Sequence, residues 1–171
     1  MAPGARLLTV LLVLAVVPGA FALPPGSVDA GRAMELCQRA ETEPDDARVE
    51  TLTRGLALAE AAVAANERDG LGQFALFCNL ARRIRQGGLR LGSPFEVMHA
   101  FRALDRAVAL APTDPDVMTA KGALLIELPP FLGGDAEEGV TWLRRALAIA
   151  PDHAPARAYL RDDADVRRAS R

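Results

Sequence analysis

Residues Ala100 to Pro112 read AFRALDRAVALAP, and residues Gly139 to Pro151 read GVTWLRRALAIAP. Each copy carries a small residue, a leucine four positions on, an alanine three beyond that and a proline five further. The marks are Ala100, Leu104, Ala107 and Pro112 in one copy, and Gly139, Leu143, Ala146 and Pro151 in the other. An upstream echo places Leu58, Ala61 and Asn66 at the last three marks, and the stops Asn66, Pro112 and Pro151 stand 46 and 39 residues apart. Self-similarity on this scale marks a helical repeat, in which each unit buries its apolar face only by stacking on the next. The expected fold class is all-α, an α-solenoid of stacked antiparallel helix pairs with about three units and a C-terminal helix.

The marks have physical roles. Leu104 and Ala107 share one helix face with Val97, Phe101, Val108 and Ala111, which makes a core-facing stripe. Small residues at 100, 107, 139 and 146 suit points where two helix axes approach closely. Leu58, Ala61, Ala100, Leu104, Ala107, Gly139, Leu143 and Ala146 are therefore assigned to packing between helices. Pro112 and Pro151 remove a backbone donor and push the preceding residue out of helical geometry, so a helix stops before each. Three starts agree with these stops: Ser93-Pro94-Phe95-Glu96, Thr113-Asp114-Pro115-Asp116 and Asp135-Ala136-Glu137-Glu138 each offer a capping side chain ahead of an acidic first turn.

From Asp45 to Leu160 these residues resemble the tetratricopeptide repeats, helix pairs of about 34 residues with a proline at the unit's end. The longer spacing here is accounted for by two insertions, Gln86 to Gly92 and Pro129 to Gly134. The segment Leu128-Pro129-Pro130-Phe131-Leu132-Gly133-Gly134-Asp135, with the helix ending at Pro151 and Ala156 to Leu160 after it, is similar to one in bacterial exported repeat proteins. These include the T-component that accompanies TRAP-type transporters. The resemblance implies an all-helical solenoid that binds or assembles with another protein and does not catalyse. Transporter components and a homo-oligomer are among the partners it implies.

At the amino end, Arg6 precedes an apolar run from Leu7 to Val17 and the sequence Pro18-Gly19-Ala20-Phe21-Ala22. This is the pattern of a secretory signal peptide cleaved after Ala22; a membrane anchor competes, but the run is short of the ~20 apolar residues a span needs. The expected organisation is a signal peptide at 1–22, a flexible leader at 23–28, a helical repeat domain at 29–168 and a tail at 169–171. The product is expected to be exported, periplasmic or secreted, with no membrane insertion after cleavage. A formal net charge of −2 argues against a nucleic-acid partner.

The chain has two cysteines, Cys37 and Cys78, on the first helices of successive expected units. In an oxidising compartment they pair as a disulfide; otherwise they are two buried thiols acting as small hydrophobes. His99 and His153 each lack ligands at metal spacing, no nucleophile has an assignable base, and Gly70-Leu71-Gly72 follows a helix instead of a strand. No enzyme activity, metal or cofactor is expected. Arg82, Arg83, Arg85 and Arg90 complement a helix C-terminus or meet an acidic partner.

Repeat arrays bind on the face lined by the first helix of each unit. The offset of 46 pairs Gln73 with Thr119, Phe77 with Ala123 and Leu80 with Ile126. These line an apolar partner-binding groove or, with the phase off by one, belong to the core. The expected function is non-enzymatic protein–protein interaction or assembly in the bacterial envelope. The alternative is a transporter-associated component that binds a small ligand or a partner subunit.

Overall fold

The computed structural model describes residues 26–87 and 94–169, with side chains described as far as Arg161. Seven α-helices occur among them: Ser27–Arg39 (α1), Asp45–Ala65 (α2), Gly70–Gly87 (α3), Pro94–Leu110 (α4), Pro115–Glu127 (α5), Ala136–Ile149 (α6) and Ala154–Ala169 (α7). No strand occurs among the described residues. The expected signal peptide and its cleavage point lie outside them. Of the expected leader, Ser27 and Val28 instead form the first turn of α1.

The helix boundaries follow local chemistry. Asp114 accepts hydrogen bonds from the amides of Asp116 and Val117, and Asp135 from those of Glu137 and Glu138, so both aspartates satisfy otherwise orphaned donors. α4 and α6 end at Leu110 and Ile149, each two residues before its proline. The second insertion folds as a single 3-10 turn, Pro130–Leu132, closed by Gly133 at φ +88°. Gly134 then lies against the backbone of Leu128, where an added Cβ would stand 1.8 Å from the carbonyl oxygen. This turn holds Phe131 out into solvent, 84% exposed.

Consecutive helices pack antiparallel. In the first half, Gly55, midway along α2, lies against Asn79, midway along α3, while Ala62 near the end of α2 lies against Gly72 near the start of α3. Arg83 of α3 reaches Glu96 at the start of α4, and Gly70 meets Leu110 at its end. The odd-numbered helices run parallel to one another. Ala33 and Cys37 of α1 contact Asn79 and Cys78 of α3, and Asp116 and Glu127 of α5 face His153 and Tyr159 at the front of α7.

Two cores result. The larger gathers Leu56, Ala75, Leu76, Leu80, Ala100 and Leu104 from α2 to α4 with Ala33 of α1; the smaller gathers Met118, Leu143, Ala146 and Ala156 from α5 to α7. Leu52, Leu80, Leu104 and Leu143 are fully buried, each contributing about 1.5–3 kcal/mol of transfer free energy. Among consecutive helices the α4–α5 packing is the thinnest, and it divides the two cores.

The repeat register needs one correction. Ala100, Leu104, Ala107, Gly139, Leu143 and Ala146 are all buried and the half-buried Leu58 packs against the first core, but Ala61 of α2 is exposed. The residues that occupy the equivalent places are Gly55, Ala59 and Ala62. α2 carries alanine and leucine around most of its circumference, so the small-to-small spacing fits more than one face. The neighbouring helix selects the face: an added Cβ on Gly55 would stand 2.1 Å from Asn79 Oδ1. Asn79 is itself fully buried and donates through Nδ2 to the carbonyls of Ala33 at 3.0 Å and Ala75 at 2.9 Å, which ties α1 to α3.

Candidate functional site, a groove between α3, α5 and α7

Most of the residues expected to line a groove are packed inside. Leu80 is 1% exposed, and Gln73 is buried with its Nε2 donating to the Glu67 carbonyl. Thr119 donates its hydroxyl to Pro115, and Ile126 is half-buried against the second core. Phe77 is largely buried, yet one side of its ring faces a concavity that Thr119 also borders. Ala123, expected opposite Phe77, borders the same concavity, so part of the expected set does face it. One step along, Phe74 aligns with Ala120 and Cys78 with Leu124, and these four do line the concavity.

The concavity is a groove of about 330 Å³. Its floor is formed by Phe74, Phe77 and Ala81 of α3, Ala120 and Leu124 of α5, and the ring of Tyr159 of α7. Phe74 and Phe77 stack with centroids 6.4 Å apart, which sets a broad apolar wall on the α3 side. From Asp116 to Glu127 the α5 wall runs roughly 16 Å at 1.5 Å per residue. Charged groups stand at the ends: Asp116 at one, and Arg82, Arg85, Glu41 and Glu127 at the other.

These charges are arranged in pairs. Arg82 Nη2 lies 3.1 Å from Glu41 Oε2, and its Nε lies 3.2 Å from Cys37 Sγ. Arg85 Nη2 lies 3.4 Å from Glu127 Oε2, while the Tyr159 hydroxyl donates to the other oxygen of Glu127 at 2.7 Å. Arg83 turns to the opposite side and pairs with Glu96. The basic cluster legible in the sequence is thus divided among three carboxylates; Arg90 lies outside the described residues. Cys37 and Cys78 are joined as a disulfide across α1 and α3 with Cα atoms 6.2 Å apart, and Cys78 borders the groove.

Burial pushes the Tyr159 phenol up to about 12, with the Glu127 carboxylate adding to the shift by accepting its hydrogen bond and by charge repulsion of the phenolate. The folded-state value lies above that of a free tyrosine. This contribution to stability is therefore complete below pH ~10 and is lost as pH rises toward 12. Tyr159 is the only tyrosine in the chain, so phenolate absorbance follows it alone. A native titration midpoint near 12 is expected, falling part of the way toward 10 in Glu127→Gln because the burial remains. A native midpoint at the free-tyrosine value would show that Tyr159 is neither buried nor held by Glu127 as described.

Sequence reasoning missed Phe74, Ala81, Ala120, Leu124, Glu127 and Tyr159. The signal that could have found the first five was the repeat offset read one residue later; nothing local marks Tyr159, which reaches the groove from the last helix. His99 is half-buried on α4, and His153 Nε2 lies 3.5 Å from Asp116. No group of three His, Cys, Asp or Glu residues able to hold a metal occurs among the described residues. No described helix is long and apolar enough to cross a membrane. Compared with protein-family models, curated proteins and solved structures, the chain gives no match.

Proposed function

We propose that this chain is a tetratricopeptide-like solenoid exported to the bacterial cell envelope. It acts there without catalysis, binding a segment of another protein in the groove between α3, α5 and α7. The groove itself carries this reading: parallel helices from successive pairs present an apolar floor about 16 Å long with charges at both ends. Such a floor takes apolar side chains of a partner, while the charged ends set its orientation and exclude segments of the wrong sign. Export is supported by the apolar run from Leu7 to Val17 with the cleavage pattern ending at Ala22, and by the pairing of both cysteines, which persists in oxidising compartments.

The test is capture of partners from an envelope extract by the mature protein and by an Ala81→Glu/Ala120→Glu variant. Both alanines are half-buried on the groove floor, so the longer charged chains fill the groove from inside its mouth. Binding at least tenfold weaker is expected in a variant whose circular dichroism remains helical. Undiminished binding by that folded variant would move the interface elsewhere.

A further inference from the structure

Two parts of this molecule are locked internally, and the seam between them is not. Within α1 to α4, the disulfide joins α1 to α3, Asn79 bridges the same two helices, and Gly55 brings α2 against Asn79. Within α5 to α7, Gly122 and Gly139 place the backbones of α5 and α6 in direct contact, and Leu143 packs on Gly122. Between the parts, the α5 side chains packed against the first core among the described residues are Ala120 and Leu124, both half-buried. Among the described residues, the charged contacts across the seam are Lys121 to Asp105 at 2.9 Å and Arg85 to Glu127 at 3.4 Å. Both pairs are partly exposed, and such pairs hold weakly. The linking turn, Ala111 to Asp114, contains Pro112 and is closed by the amide of Asp114 donating to Ala111 at 3.2 Å.

We propose that α5–α7 moves as one body against α1–α4 about the Ala111–Asp114 turn, widening and narrowing the groove, and that Arg85, Glu127 and Tyr159 form the clasp that holds it narrow. The groove lies on the seam, because Phe74, Phe77 and Ala81 belong to one body and Ala120, Leu124 and Tyr159 to the other. Motion at the seam therefore changes the distance between its walls while each wall keeps its shape. Tyr159 is a positioning residue: it holds one carboxylate oxygen of Glu127, leaving the other directed at Arg85 across the groove's end. An occupant that separates the walls must break the Arg85 contact, so weakening the clasp favours the open position before any partner arrives. The consequence for binding rests on the groove being the binding surface; the motion itself does not.

The motion is tested without a partner. Fluorophores introduced through noncanonical residues at Ala57 on α2 and Arg144 on α6, both exposed, report the distance between the two bodies by single-molecule energy transfer. Glu127→Gln and Arg85→Ala are each expected to lengthen the mean distance and broaden its distribution, with helical circular dichroism unchanged. Arg48→Ala removes contacts made wholly within the first body, to Ala40, Glu43 and Asp45, and is expected to leave the distribution as it is. An unchanged distribution in both clasp variants overturns the proposal. So does a change in Arg48→Ala equal to theirs, or a loss of helical signal in both clasp variants, which would make the seam part of one cooperative core. The groove could still fail to bind any partner while these distances respond, so the two readings fail separately.

Discussion

Gly139→Ala is expected to lower the unfolding midpoint of this protein substantially, although alanine is the better helix former. A Cβ at Gly139 would stand 2.7 Å from the carbonyl oxygen of Gly122 and 2.7 Å from Ile126 Cγ1, and a Cβ at Gly122 would stand 2.7 Å from the carbonyl oxygen of Gly139. The nearest atoms include backbone on both sides, so no change of side-chain rotamer relieves the clash. The two helices must separate instead, and Met118, Leu143 and Ala146 between them lose contacts. Overpacking of this kind typically costs about 1–3 kcal/mol, and a backbone obstacle places it near the upper end. That corresponds to a fall of about 10 °C in Tm for a chain of this size.

Gly31→Ala supplies the contrast. Gly31 lies within α1 with nothing near its missing Cβ, so the same substitution there is expected to stabilise by about 0.5–1 kcal/mol through helix propensity alone. The Gly122→Ala/Gly139→Ala double variant is expected to lose less than the sum of the singles, because one separation accommodates both methyl groups. Denaturant midpoints of the native protein, the Gly31→Ala, Gly122→Ala and Gly139→Ala single variants and the double variant measure all of this. A Gly139→Ala midpoint equal to the native one would mean that α5 and α6 do not approach as closely as described.

The second large effect is on the disulfide. Cys37 and Cys78 are separated by 41 positions, and closing a loop of that length in the unfolded chain stabilises the fold by about 3–4 kcal/mol on the chain-entropy model. Reduction, or Cys37→Ala/Cys78→Ala, is expected to lower Tm by about 10 °C. The effect should exceed that of cutting any single surface ion pair, which contributes at most about 1 kcal/mol. Arg82 Nε also loses its contact with Cys37 Sγ, so the loss should extend to the Arg82–Glu41 pair at the groove's end. Thermal scans with and without reductant check this, and the double alanine variant separates loss of the crosslink from exposure of two thiols. A native protein whose Tm does not respond to reductant, with both thiols then shown to be free, would remove the crosslink from the account of stability.

Helix ends were the most legible features of the chain. Asp114 and Asp135 cap α5 and α6 where their spacing to the following acidic turn placed them, and α4 and α6 stop just before Pro112 and Pro151. These are local effects, decided by which side chain reaches an orphaned amide and by the geometry that proline forbids, so neighbouring residues are enough to read them. The stripe Ala100, Leu104, Ala107 and its partner Gly139, Leu143, Ala146 were legible for a related reason. Each lies on an amphipathic helix whose opposite face is charged, as Arg102, Asp105 and Arg106 and then Arg144 and Arg145 show.

Orientation failed where that contrast was missing. α2 and α3 carry apolar side chains on several faces, so Ala61 looked as suitable for packing as Ala62, and Gln73 and Leu80 looked as suitable for a groove as Phe74 and Ala81. The sequence by itself determined that the chain is helical, that it repeats, where the helices begin and end, and which half of each amphipathic helix is inside. Only the tertiary structure decided which of several apolar faces meets a neighbour, that Cys37 lies beside Cys78, and that Tyr159, Glu127 and Arg85 converge across one groove. Those outcomes depend on how closely two backbones can approach, which Gly55, Gly122 and Gly139 set through contacts with residues from 13 to 24 positions away.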